Sequence, residues 1–385
     1  MLRIKSAPRA NLLERANQYG FDFHTIDGEP YWDETHYYQF TLRQIEDDLE
    51  DPTNELEQLC LDLVGDIVRD EHLLAKLKVP SSQWHHILDS WRSKEPSLYG
   101  RMDFAYNGQG PAKLLEYNAD TPTSIYEAAF FQWIWLEDQV DTGIVWRGAD
   151  QFNSIQEKLI ARMAEVSPDG EIHFACCRDS VEDRATVEYL EDCARQAGLT
   201  TKFLYVEEIG LNTNKQFTDL QDFEISCLFK LYPWEWMFDD PFSEYLAKSK
   251  TRFIEPAWKA LLSNKGILPL LWQRHKGHPN LLPSYFEGEE QADLGHSYCR
   301  KPLFSREGAN ISLVRPNQPL LEVGGEYGGE GYIVQGLSPL PRFEESFTLI
   351  GSWVIGHQAA GLTIREDNSL ITKDTSRFVP HIIVG

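Results

Sequence analysis

Two short segments hold four side chains able to act on one centre: Arg101 and Asp103 in Arg101-Met-Asp-Phe-Ala-Tyr106, and Glu116 and Asn118 in Ala112-Lys-Leu-Leu-Glu-Tyr-Asn118. Between them, Asn107-Gly-Gln-Gly-Pro111 is a hairpin signal. Side chains two apart in a strand share a face. With Gly108 to Pro111 as the loop, Asp103 stands opposite Glu116 and Arg101 opposite Asn118, so all four project from one face. Two carboxylates and an amide oxygen crowded beside an arginine repel unless a hard cation sits among them. Oxygen donors of this kind suit Mg²⁺ bridging nucleotide phosphates. An exposed hairpin face with ordinary ion pairs would show the same pattern.

Other groups suit anions. Asn118-Ala-Asp-Thr-Pro-Thr-Ser124 is rich in hydroxyls and leads into a helix, which fits an anion site or a plain N-cap. Lys230 in Leu228-Phe-Lys-Leu-Tyr-Pro233 and Lys301 in Tyr298-Cys-Arg-Lys-Pro302 are cations inside otherwise apolar or aromatic strands. Such a lysine either meets an anion or snorkels to water. Phe304-Ser-Arg-Glu-Gly-Ala-Asn310 is a small-residue loop able to close over phosphates. There is no GxxxxGK[ST], and no GxGxxG opens a helix. His275 and His278 read as surface histidines, and Trp234 and Trp236 as core packing.

The elements that must position these groups change along the chain. The first hundred residues read as mostly helical: a helix over Glu46 to Asp70 with a break at Asp51-Pro52, then one over Gln83 to Arg92 capped by Ser82. A helix from Ser124 to Val140 follows the hairpin. The strand Ile172 to Cys176, helix Val181 to Ala197 and strand Lys202 to Val206 form a βαβ unit. Strands dominate from Ile225 onward. The chain therefore divides into residues 1–170 (helical lead and hairpin), 171–224 (an α/β lobe) and 225–385 (a strand-rich part).

Composition narrows the class. Of 385 residues, 42% are apolar and 25% charged, as in an ordinary globular protein. No apolar run reaches the length of a signal peptide or membrane span. Six cysteines without CxxC spacing suit free thiols in a reducing cytoplasmic setting. A net charge of −24 disfavours a nucleic-acid partner and suits either a cationic ligand or plain solubility.

Six blocks, YGRMDFAY, LLEYNADTPTS, FKLYPWEW, EPAWKALLSNKGILPLLW, KPLFSREGANISLV and GLTIREDNSLI, together resemble the synthetase region of the glutathionylspermidine synthase family. The resemblance runs from about Gly20 to the C-terminus. It implies an ATP-grasp-like fold of mixed α/β (α+β) class, circularly permuted in order, with a Rossmann-like lobe. It implies an ATP-dependent ligase joining a glutathione-like carboxylate to a polyamine-like amine. Asp103, Glu116 and Asn118 then match magnesium ligands, and Arg101 and Arg365 the arginines at the transferring phosphate. Lys230 and Lys301 match the lysines holding ATP, with Gln335 and Leu337 near the adenine. Thr121 and Thr123 lie by the peptide substrate, and Glu182 and Asp183 match an acidic amine-binding pair. The chain resembles stand-alone synthetases rather than members with an N-terminal amidase, and Asp183 stands where a glutamate is expected.

Two rivals exist. One is an inactive nucleotide-binding homologue acting with a protein partner, against which the full set of charged residues argues. The other is a glycosidase using Asp103 and Glu116, which leaves Lys230, Lys301 and Arg365 unexplained.

Overall fold

In the computed structural model, which describes residues 1–26, 28–373 and 375–385, the hairpin lies at one edge of a central antiparallel sheet. Tyr99–Ala105 pairs with Lys113–Asn118, and the pairs Arg101–Asn118 and Asp103–Glu116 are those expected. The assumed loop is not the one present. A bulge between Asp103 and Phe104 places Phe104 opposite Leu114, so the strands end at Ala105 and Lys113. The register therefore holds at the end that carries the site, through a different turn.

On its other edge Tyr99–Ala105 pairs with Ser346–Ile355, followed by Gln358–Asp367 and Arg377–Phe378. Every residue of Tyr99–Ala105 is buried. Two glycines make room for Arg101 and for the Tyr117 ring of the neighbouring strand. A Cβ at Gly351, opposite Asp103, would come within 2.8 Å of the Arg101 side chain, and one at Gly100 would strike the Tyr117 ring at 2.8 Å. The sheet is packed on both faces. Met102, Phe104 and Ile350 join one buried cluster, while Tyr99, Trp353 and Ile355 join another with Phe131 and Trp135.

The α/β lobe forms as expected, with Glu171–Cys176, helix Val181–Gln196 and Thr200–Tyr205 in sequence. Cys227–Leu231 and Arg252–Ile254 extend the same sheet, and all four strands run parallel. Their carboxyl ends therefore open toward one edge. A third sheet, antiparallel, contains Ser284–Phe286, Tyr332–Gly336, Tyr298–Pro302, Ser312–Val314 and Leu321–Glu322. The class is mixed α/β.

The N-terminal reading needs correction. Leu2–Lys5 and His36–Thr41 are strands, joined in one sheet with His381–Val384. Each is too short to stand out from one sequence segment, and their partner lies at the far end of the chain. The break at Asp51-Pro52 is absent: the π-helical turn Glu46–Glu50 passes straight into α-helix Asp51–Ile67, and the wider turn ahead of Pro52 accommodates the residue that lacks an N–H. Ser82 is not a cap, since Ser81–Gln83 forms a 3₁₀ turn ahead of helix Trp84–Arg92. Among the described residues no helix is long and apolar enough to cross a membrane.

Candidate active site

Arg101 and Asp103 face each other on their strand. Arg101 Nε donates to Asp103 Oδ1 at 2.7 Å and Nη2 to Oδ2 at 3.1 Å, while Nη1 donates to the Thr123 carbonyl at 3.0 Å. Across the hairpin, the Asn118 amide nitrogen lies 3.2 Å from both Asp103 Oδ2 and Glu116 Oε1. The second Glu116 oxygen meets Lys265 Nζ at 3.0 Å. Lys301 Nζ donates to the Leu115 carbonyl and to Gln335 Oε1, both at 2.8 Å, and Gln335 Nε2 in turn donates to the Leu114 carbonyl.

Electrostatics divide the two carboxylates. Burial raises Asp103, opposed by Arg101 and reinforced by Glu116. Burial also pushes Glu116 up, but Lys265 and Lys301 outweigh it and hold this carboxyl at about 2. Burial lowers the Lys301 ammonium.

These groups close one end of a cleft. Its charged end is Asp103, Glu116 and Lys301. Its body is apolar, lined by Leu115, Leu313, Leu337, Leu349, Leu370 and Ile371. A slot lined by aliphatic side chains and ending in paired charges suits a flat heterocycle carrying phosphates. The donor chemistry at that end fits Mg²⁺. Two carboxylates and an amide leave the remaining octahedral positions to phosphates and water, as this ion prefers. Among the described residues no group of three His, Cys, Asp or Glu makes an all-protein cage. As placed, Asn118 turns its NH₂ toward the carboxylates. A half-turn of the amide would present its oxygen instead.

The other expected residues are placed differently. Leu337 and Lys301 line the slot. Gln335 is buried and steadies Lys301. Lys230 does not line it: its ammonium is paired with buried Asp120, whose other oxygen accepts from the Trp234 backbone at 2.8 Å. Burial lowers this ammonium and raises its partner carboxyl. Arg365 lies over Phe378, donates to the Lys373 carbonyl, and is close enough to favour ionisation of Asp103 and Glu127.

The 118–124 loop links this centre to an acidic one. Ser124, held at φ 75°, offers its hydroxyl to Glu182 at 3.3 Å, and Tyr31 donates to both Glu182 and Glu127. Burial, with Glu182 adding to it, raises Glu127 to about 8, and the same two causes raise Asp183 to about 6. Thr121 accepts from Arg306 at 2.5 Å, and Arg306 also pairs with Glu235 at 2.7 Å, tying the 304–310 loop over the 118–124 loop.

Four of these residues escaped the sequence reading. Lys265 lies in Leu261-Leu-Ser-Asn-Lys-Gly-Ile-Leu268, a cation in an apolar run, the same signal that marked Lys230 and Lys301. Arg306 was visible in its loop, but nothing local revealed its partners. Tyr31 and Glu127 come from distant segments and carry no motif.

Comparison with known proteins decides the kinship. The family model for the glutathionylspermidine synthase preATP-grasp domain matches residues 3–384. The chain belongs to the glutathionylspermidine synthase family. It is 42% identical over 399 aligned positions, spanning all of both chains, to a Haemophilus influenzae protein provisionally named an acid–amine ligase. It is 28% identical to Crithidia fasciculata trypanothione synthetase over 84% of this chain, and 27% identical to the Escherichia coli bifunctional glutathionylspermidine synthetase/amidase over 93% of it. It spans 53% and 60% of the lengths of those two relatives. In fold it is similar to a glutathione synthetase-like effector from Globodera pallida, with a TM-score of 0.53, 10% identity, and 99% and 98% of the two chains covered. This family member is accordingly an enzyme of the acid–amine ligase type, built on a glutathione synthetase-like fold.

Proposed function

We propose that this chain forms an amide between a peptide-like carboxylate and a polyamine-like amine, using ATP and passing through an acyl-phosphate. The observation that carries the reading is the apolar slot lined by Asp103, Glu116 and Lys301, with Lys265 paired to Glu116 beside it. In this reading adenine lies between Leu337 and the 370–372 segment, and Lys265 and Lys301 take the phosphates. Bound Mg²⁺ at Asp103, Glu116 and Asn118 would supply charge neutralisation of the phosphates.

The substrate carboxylate lies over the 118–124 loop by Thr121 and Thr123. Its oxygen attacks the γ-phosphorus and ADP leaves. The amine nitrogen then attacks the acyl carbon, phosphate departs with the carboxylate-derived oxygen, and the nitrogen gives up a proton. Arg101 and Arg365 hold the transferring phosphoryl group, and this positioning is most of the catalysis. Glu182 and Asp183 balance the ammonium groups of the amine, and Glu127 beside them releases its proton when a cation arrives. Lys230, paired with Asp120, stiffens the 118–124 loop. The loop over 304–310, latched by Arg306, keeps water from the acyl-phosphate. The order of elements, with the metal hairpin ahead of both phosphate lysines, supports a permuted ATP-grasp arrangement.

The test is transfer of ¹⁸O from a labelled peptide carboxylate into inorganic phosphate, with ADP release that requires both acid and amine. Label remaining wholly in the product would refute the acyl-phosphate. Nucleotide binding without acid-dependent ADP release would favour the inactive homologue.

A further inference from the structure

A second pocket opens at the carboxyl ends of the parallel strands, where an open α/β sheet commonly places ligands. Cys177 follows Glu171–Cys176, Val206 follows Thr200–Tyr205, and Tyr232 follows Cys227–Leu231, and all three line it. Its volume is about 240 Å³. The inner wall is apolar: Phe217, Leu228, Leu246 and Phe253 are buried side chains. Lys230 contributes its stem, its ammonium being satisfied by Asp120. Two acids, Glu207 and Asp240, line the pocket, and apart from Lys230 no lysine or arginine does. Asp240 also caps the following turn through the Phe242 backbone, and Glu207 accepts from the Arg178 backbone at 3.3 Å.

The pocket adjoins the proposed site. The Tyr232 ring packs on Trp236 at 5.5 Å, the Arg306 guanidinium lies 6.0 Å from Trp236, and Arg306 donates to Thr121. Burial raises the Cys177 thiol, with Glu207 and then Asp183 adding to it, and Arg306 in turn favours ionisation of Asp183.

We propose that this pocket receives the far end of the acceptor amine, and that the end it prefers is amphiphilic: a hydrocarbon group in the apolar wall, with an ammonium beside Glu207 and Asp240. The proposal rests on the ligase reading and refines its substrate class. A bare polyamine would satisfy the acids and leave the wall unused. An N-alkylated diamine would use both.

The experiment is calorimetric titration of the full chain, without ATP, by 1,3-diaminopropanes carrying N-methyl, N-propyl and N-hexyl groups. Affinity should climb roughly fourfold per methylene until the wall is filled. Glu207→Gln should weaken each member roughly two- to fivefold. Val206→Phe, filling the pocket from its half-buried edge, should remove the chain-length dependence. Equal affinity along the series, or a chain-length dependence that survives Val206→Phe, would overturn the proposal. Hydroxylamine-trapped, acid-dependent ADP release, measured on the same proteins, separates the two failures. Its presence without chain-length dependence sinks the pocket alone, and its absence beside a clear dependence sinks the ligase reading alone.

Discussion

Replacing Lys265 with methionine tests the phosphate end of the slot. The side chain is buried, with its ammonium 3.0 Å from Glu116 Oε2 and 2.6 Å from the Ser305 carbonyl. Methionine keeps most of the stem and removes the charge, so packing losses stay small. Two effects follow. A charge-assisted contact to phosphate is worth roughly 1.5–3 kcal/mol, about ten- to a hundredfold in nucleotide affinity. Glu116 also loses the largest influence holding it at about 2, so its carboxyl climbs toward the ordinary range. The Ser305 carbonyl loses its donor, which should loosen the 304–310 loop and expose it to protease. Calorimetry with Mg-ATP near neutral pH is the assay, with a denaturation curve to confirm folding. A dissociation constant within twofold of wild type, in a folded variant, would show that nucleotide phosphates do not reach Lys265.

Asp103→Asn and Glu116→Gln should each reduce acid-dependent ADP release at least roughly a hundredfold in protein that still folds, as read by a coupled assay. Both should also lower stability in urea denaturation, Asp103→Asn by about 3–5 kcal/mol because it strands the buried Arg101. Lys230→Met should cost about 3–5 kcal/mol of stability in urea by stranding Asp120, with ATP affinity unchanged. Lowered ATP affinity at intact stability would move Lys230 onto the nucleotide. Glu127, raised from 4.5 to about 8, holds a proton in the folded state that the unfolded chain has released, so stability should fall as pH rises through that window. Glu127→Gln should flatten that fall, a difference of a few kcal/mol at most, measured by denaturation at pH 5 and pH 9.

What could be seen in the sequence was local. Alternation placed Arg101, Asp103, Glu116 and Asn118 on one face because side-chain period in a strand is independent of what surrounds it. The βαβ unit was visible for the same reason. The bulge at Asp103 was not, since an extra residue in a strand leaves no mark on composition. Lys230 shows the limit of reading one cation at a time. A lysine in an apolar strand announces a buried anion, and it has one, but that anion is Asp120, far away in the chain. Tyr31, Glu127 and Arg306 gain meaning only when three distant segments meet.

The arrangement of charge gives the strongest link between the composition and the chemistry. The chain carries 24 more negative than positive charges, yet Arg101, Lys265, Lys301, Arg306 and Arg365 gather around a single hairpin and its loops. Of these, Arg101, Lys265 and Lys301 are buried, which costs several kcal/mol per unpaired ion, and this cost is offset by carbonyls and carboxylates on the neighbouring strands. Those partners are imperfect. Lys301 has one carbonyl and one amide oxygen for its three protons, and Lys265 shares Glu116 with Asn118. A polyphosphate entering the slot would complete both sets, so cations that are costly in the folded chain become favourable once it binds. The acids do the reverse work beside Ser124 of the 118–124 loop, where burial, with Glu182 adding to it, raises Glu127 and Asp183, and a cation would relieve them. An enzyme that joined a polyamine to a carboxylate at the expense of ATP would have to hold a polyanion and a polycation close together without letting them pair. Two regions of opposite unmet charge, separated by the loop that carries Thr121, Thr123 and Ser124, would meet that requirement.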